Sequence, residues 1–113
     1  MNEPGVLQIS IAEYVKGEKP NPNNEDLMAM SENIGVKNKF GEIINRYSGS
    51  CKFGKYGMVE FSSFNFPYIS VWHLSNGKDF VFSTFICSKT PENSEINEVK
   101  EILLTMKKKS LIL

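Results

Sequence analysis

The sequence predicts a single α+β domain over residues 1–113, with an antiparallel sheet followed by a helix. Three observations support this prediction: the chain has the length of one domain, its apolar residues adopt a period of two after Phe40, and Asn76-Gly77 separates two apolar runs. Apolar residues make up 41% of the chain and charged residues 23%, which is a globular composition. We therefore expect one hydrophobic core that forms without a metal or a disulfide.

The sheet is predicted to be a meander of four strands. These strands are expected at residues 42–48, 56–63, 68–75 and 78–87, with a Gly/Ser turn at residues 48–50. Asn-Gly tolerates positive φ at both central positions of a two-residue hairpin turn. Such a turn places Trp72 opposite Val81 and His73 opposite Phe80. A slip of one residue would exchange the two faces of the sheet.

The face of the sheet that carries His73 is the more apolar, so all the helices are predicted to pack on that side. Its apolar members are Ile69, Val71, Phe80, Phe82 and Ile86. The other face carries Tyr68 and Trp72 together with Ser70 and Ser83. If no helix covers this second face, Tyr68 and Trp72 form an aromatic interface for a partner; the alternative is that both belong to the core.

One or two short helices are predicted before the sheet and a longer helix after it. Residues 6–15 are ambiguous, because Leu7, Ile9 and Ile11 alternate as in a strand, whereas Ser10 to Glu13 has the pattern of a capping box. A short helix over residues 10–16 is the favoured interpretation and a strand is the alternative. The second helix is expected to be capped by Asn24 and to end at Gly35.

The C-terminal helix is predicted from the Thr90-Pro91-Glu92 entry and from a stripe of apolar residues. The stripe consists of Ile96, Val99, Leu103 and Met106. The N-terminal residues lack the pattern of a signal peptide, and no apolar run approaches the ~20 residues that cross a bilayer. Two cysteines are also few for a small secreted scaffold. We therefore expect a cytoplasmic protein that does not bind membranes.

The residues that could support catalysis are few. His73 is the only histidine, and a nucleophile–base pair would need Cys51 or Cys87 beside it. Cys87 is predicted on the opposite face from His73, which disfavours that pair. The sequence does not exclude a pair of Cys51 with His73. No paired spacing indicates a metal site, and no glycine-rich phosphate loop indicates a nucleotide cofactor. The chain is predicted to be non-enzymatic and without cofactors; a small enzyme that uses His73 with Cys51 is an alternative.

Residues 56–61 invite comparison with the central strand of RNA-recognition motifs. Met58 replaces one of the stacking aromatic residues, and Gly54-Lys55 inverts the usual order of the basic residue and glycine. That fold also requires a helix after this strand, where the present chain has Pro67 and then a hairpin. Nucleic acid is therefore not an expected partner.

The charge is balanced overall but unevenly distributed. Residues 1–35 hold two lysines against six acidic residues, whereas residues 36–60 hold five basic residues against two acidic ones. Such polarity is typical of a surface that binds a protein of complementary charge.

The stretch from Pro67 to Gly77, together with the closing helix, resembles small single-domain cytoplasmic immunity proteins of bacterial toxin systems. The resemblance covers less than half of the chain. It implies stoichiometric binding of a cognate toxin. Glu25, Asp26 and Glu32 are predicted to face a basic toxin surface. A secretion adaptor or chaperone that binds an apolar segment is an alternative, and homo-oligomers remain possible.

Overall fold

The computed structural model describes residues 5–13, 22–77 and 79–106 as a five-stranded antiparallel sheet with one helix on each face. The strand order is β1-β5-β4-β3-β2, so β4 is central and β1 and β2 are the edges. The elements are β1 (Val6–Glu13), α1 (Asn24–Lys37), β2 (Glu42–Ser50), β3 (Lys55–Ser62), β4 (Tyr68–Ser75), β5 (Asp79–Cys87) and α2 (Asn93–Thr105). The predicted α+β class and antiparallel sheet are confirmed, but the sheet has one strand more than predicted.

The additional strand is β1, where a short helix was favoured. The helix prediction over residues 10–13 is wrong and the strand alternative is correct; residues 14–16 of that helix lie outside the described residues. β1 pairs with β5 without interruption from Val6 to Glu13, and Ser83 Oγ donates to the Gln8 carbonyl at 2.8 Å. The backbone bonds offered by β5 therefore outweigh the local capping-box pattern.

The helix α1 forms as predicted, but it is longer, and Asn24 is its first residue instead of its cap. Its cap is Asn23, whose side chain accepts from Asp26 N while the Asp26 side chain accepts from Asn23 N. Gly35 does not end the helix, because it lies inside α1 where the Phe61 ring occupies the space of a Cβ atom. The helix ends at Lys37 with Asn38 as its C-cap, and Lys39 adopts the left-handed conformation with φ of 57°.

The hairpin between β4 and β5 keeps the predicted faces but not the predicted partners. Ser75 lies opposite Phe80, so the loop has four residues instead of two, and Asn76 Oδ1 accepts from Asp79 N at 2.6 Å. Trp72 therefore pairs with Ser83 and not with Val81. Because the shift is two residues, every side chain stays on its predicted face.

The turn between β2 and β3 also lies later than predicted. The strand β2 continues to Ser50, and the turn is closed by reciprocal backbone bonds between Cys51 and Gly54 at 2.8 and 3.1 Å.

The two faces of the sheet are covered by different helices, so the prediction that all helices lie on one side is wrong. On the first face, α1 covers a core of Val59, Phe61, Ile69 and Val71. On the second face, Val99 and Leu103 of α2 complete a core with Met58, Trp72, Leu74, Val81, Phe85 and Cys87. The second face is as apolar as the first once β3 is included, so it also requires a cover.

Gly57 of β3 sets how closely α1 approaches the sheet. A Cβ atom at this position would overlap the backbone of Leu27 and Met28, which cannot move without displacing the helix. We expect Gly57→Ala to lower the free energy of unfolding by about 2 kcal/mol, the usual scale of overpacking. At Gly49 in β2 the new Cβ would meet only the Tyr56 ring, at 3.2 Å. Gly49→Ala is therefore the matched control, with an expected change below about 1 kcal/mol. Urea denaturation measures both; equal losses would contradict this account of Gly57.

Candidate interaction surfaces

Tyr68 and Trp72 belong to the core, which was the alternative to the predicted aromatic interface. Their exposed fractions are 6% and 1%, because α2 covers this face of the sheet. Trp72 Nε1 donates to Ser70 Oγ at 3.0 Å, and the indole lies against the Tyr56 ring at 5.6 Å. The predicted role of Tyr68 and Trp72 in binding required that no helix cover this face, and α2 does cover it.

Glu60 is a buried acidic residue that the sequence analysis missed. It lies on β3 between Asn45 and Ser70, with 5% of its surface exposed, and it accepts a short hydrogen bond from the Tyr68 hydroxyl. Burial and the neighbouring carboxylate both raise the pKa of Tyr68. The sequence feature that could have indicated its burial is the position of this charged residue within the apolar run from Met58 to Phe61. This pair ties β3 to β4 beneath α2.

His73 is a buried residue on the α1 side of the sheet. Its Nδ1 lies 2.7 Å from Ser31 Oγ, which itself donates to the Gly57 carbonyl at 3.2 Å. Because the Ser31 proton is directed to Gly57, the geometry fits a neutral imidazole that donates from Nδ1. Burial lowers the pKa of His73 to about 4, and the ring packs against Phe82 at 5.0 Å. These contacts join α1 to the centre of the sheet.

The cysteines do not pair directly with His73. Cys87 belongs to the core under α2 and the partly buried Cys51 packs against that core, on the opposite side of the sheet from the Ser31 contact of His73. Both thiols are free. Burial raises the pKa of Cys51, and burial together with the charge of Glu95 raises the pKa of Cys87 to about 11. At neutral pH both groups are therefore thiols, the poorly nucleophilic form.

The three acidic residues predicted to meet a partner all lie on α1, but they differ in their neighbours. Glu25 is exposed in the first turn. Asp26 belongs to the capping box, and Glu32 Oε1 lies 2.6 Å from Nε of Arg46 on β2. Of the three, Glu25 is the residue whose charge can be changed without removing one of these contacts.

An apolar surface lies at the end of the sheet where α1 ends and β2 begins, and we call it the apolar end. Its members are Phe64 and Phe66 in the β3–β4 loop, Val36 on α1 and Ile44 on β2. Phe64 is fully exposed and Val36 is 63% exposed. The loop is held by Ser63, which donates from its backbone to the Phe66 carbonyl at 2.9 Å and accepts from Phe66 N at 3.2 Å. Phe64 is therefore presented at the tip of a hydrogen-bonded turn.

A groove of about 230 Å³ separates the edge strand β1 from α2, and we call it the acidic groove. Apolar side chains form its floor and two glutamates stand at its rim. It is lined by Gly5, Leu7, Phe85, Val99, Ile102, Glu95 and Glu98. Gly5 N donates to Glu95 Oε2 over a long 3.5 Å contact.

Comparisons with protein-family models, curated proteins and solved structures found no match for this chain. Neither helix of the described part of the chain is long and apolar enough to cross a membrane. Among the same residues, no group of three or more His, Cys, Asp or Glu side chains could hold a metal ion.

Because His73 is buried in its neutral form, we expect the free energy of unfolding to fall in mild acid. Its folded pKa of about 4 lies below the ordinary 6.5, so its contribution is complete above pH 6.5 and is lost as the pH falls toward 4. Linkage gives a loss of about 2 kcal/mol between pH 7 and pH 5.

The measurement is urea denaturation of the wild type and of His73→Gln at both pH values. Because His73 is the only histidine, we expect the variant to lack most of this pH dependence, although it is less stable at pH 7. The same pH dependence in both proteins would show that His73 is not the group responsible.

Proposed function

We propose that this chain is a protein-binding module, of the kind that neutralises a cognate bacterial toxin in the cytoplasm by binding it stoichiometrically. The observation that carries the proposal is the apolar end. Large aromatic side chains that are exposed on a fixed turn are typical of binding sites for other proteins, where they supply most of the affinity. Phe64 has this environment, with Phe66 on the same loop and Val36 nearby in the fold.

The acidic residues of α1 support a partner that is basic. Glu25 is exposed, and Glu32 remains partly exposed beside Arg46. Charges at the rim of an interface act mainly on the association rate, because they steer the encounter over about a Debye length. A toxin with a basic active-site surface fits this arrangement.

The test of the apolar end begins with affinity capture of partners by the wild-type protein, followed by calorimetry with the purified partner. We expect one-to-one binding, and we expect Phe64→Ser to weaken it at least about tenfold, as for an aromatic hot spot. Because Phe64 is fully exposed, this change leaves folding stability nearly unaltered. Tyr47→Ser on β2 is the matched control, since Tyr47 is an exposed aromatic residue outside the apolar end. Equal affinities of wild type and Phe64→Ser would exclude the apolar end from the interface.

The toxin-neutralising role is tested separately by co-expression. We expect the partner to inhibit growth when it is produced alone and to be harmless when this chain is produced with it. A partner that is harmless by itself would refute the immunity role while leaving protein binding intact.

The charge of Glu25 should affect the rate of association more than the lifetime of the complex. We expect Glu25→Gln to slow association with a basic partner about twofold in low salt and to have little effect in high salt. Asn33→Lys, which changes the net charge equally at another exposed position of α1, is the control. Stopped-flow mixing at two salt concentrations measures both. An unchanged rate for Glu25→Gln would remove this residue from the encounter surface.

The alternative of an adaptor or chaperone for an apolar segment is also favoured by the exposed Phe64 and Phe66. The two functions differ in their dependence on salt. Binding of a basic toxin weakens as salt is added, whereas binding of an apolar segment does not.

A further inference from the structure

The two edges of the sheet are not equally protected against pairing with another strand. At one edge, β2 has a bulge between Ile43 and Asn45 and carries the charged Arg46. Bulges and charges are the usual means by which proteins prevent pairing at an edge. At the other edge, β1 keeps an unbroken register and has no charged residue or proline before Glu13. Among the described residues no strand pairs with the outer side of β1, and we call this side of β1 the open edge.

The main-chain groups on the open edge follow from the alternation of the antiparallel ladders. The bond from Asn76 N to Asp79 O closes the β4–β5 hairpin and fixes which residues of β5 bond to β4. The intervening residues of β5 then bond to Gln8 and Ser10 of β1. It follows that Leu7 and Ile9 direct their N–H and C=O groups outward.

The acidic groove lies directly beside this edge. The side chains of Leu7 and Ile9 stand on the α2 face, since they are paired with Phe85 and Ser83 of that face. A strand that pairs with β1 would place alternate side chains on the same face, next to this apolar surface and within reach of Glu98.

The charge of the groove decides which kind of strand fits. Antiparallel pairing of β1 with β1 of a second copy would place both α2 helices on one face of a continuous sheet. Glu95 and Glu98 of both copies would then lie on that same face and bring like charges to it. A strand with basic side chains meets the same rim with opposite charge.

We propose that the open edge of β1 and the acidic groove form a binding site for an extended, basic segment of another protein, in which every second residue is apolar or basic and the residues between them are polar. The segment adds a sixth strand to the sheet by main-chain hydrogen bonds to Leu7 and Ile9. Its apolar and basic residues share the α2 face, where the apolar residues lie over the groove and the basic residues meet Glu95 and Glu98. This site is separate from the apolar end, and it stands whether or not the cognate partner is a toxin.

The probe is the eight-residue peptide Thr-Val-Thr-Lys-Thr-Val-Thr-Lys, acetylated and amidated at its ends, which places Val and Lys on one face of a strand and is called the Lys-Val peptide. Its control, the Glu-Val peptide, has Glu in place of each Lys. Isotope-labelled protein is titrated with each peptide by NMR, and anisotropy of the labelled peptide gives the affinity. We expect the Lys-Val peptide to shift the resonances of β1 and α2 and to bind at least tenfold more tightly than the Glu-Val peptide.

Two pairs of variants locate the site. Ile9→Pro removes an outward N–H without removing a bond to β5, and we expect at least a tenfold loss of affinity. Ser48→Pro makes the equivalent change on the edge of β2 and should leave the affinity unchanged. Glu98→Lys should weaken binding about two- to fivefold, whereas Glu42→Lys, the same charge change at the far edge, should not.

A second measurement on the wild-type protein covers the case in which Ile9→Pro fails to fold. The Lys-Val peptide methylated at every backbone nitrogen cannot donate to β1, so its binding should be lost. Equal affinity of the methylated peptide, equal affinity of the Glu-Val peptide, or no binding of the Lys-Val peptide would overturn the proposal. A concentration-dependent dimer that Ile9→Pro abolishes in sedimentation would also overturn it, because the strand on β1 would then be a second copy.

Discussion

The burial of β4 on both of its faces is the constraint on which the rest of the structure depends. All eight residues of Tyr68–Ser75 are buried, so each face of the sheet needs its own cover. The helix α1 supplies one cover over Val71 and His73, and α2 supplies the other over Trp72 and Leu74. Polar side chains that are buried with β4 must find partners, which is why His73 meets Ser31 and why the Trp72 indole donates to Ser70.

Local patterns in the sequence predicted the elements whose signals are themselves local. The period of two after Phe40 and the stripe on the last helix both correspond to observed elements. The strand β1 was missed because its conformation is decided by pairing with β5, which is distant in the sequence. The capping-box pattern that begins at Ser10 is local and carries no information about that pairing. The loop after β4 was predicted two residues too short. The turn preference of Asn-Gly indicates a two-residue loop and does not include the hydrogen bond that Asp79 N donates to the Asn76 side chain.

The candidate surfaces were less predictable than the fold. Alternation placed Tyr68 and Trp72 on their correct face, but only the path of the chain after β5 determines that α2 covers it. Phe64 shows the converse: it is an aromatic residue only four positions before Tyr68, yet the turn held by Ser63 leaves it exposed to solvent while Tyr68 enters the core. The exposed surface can be predicted only after the core residues are known. The wrong expectation that α2 leaves the face of Trp72 uncovered therefore led to a wrong binding site at Tyr68 and Trp72.

The sheet also separates the groups that could otherwise react with one another. His73 lies on the α1 side, where burial favours the neutral imidazole, and Cys51 and Cys87 lie on the α2 side, where burial favours the neutral thiol. Each of these groups is held in its uncharged form, so none contributes charge to recognition at neutral pH. The charge available for recognition is therefore at the surface, where acidic side chains stand along the groove beside β1, while the apolar end of the same sheet is dominated by Phe64. The two surfaces share no residue and differ in chemistry, so the two proposed partner segments would each contact side chains that the other does not use.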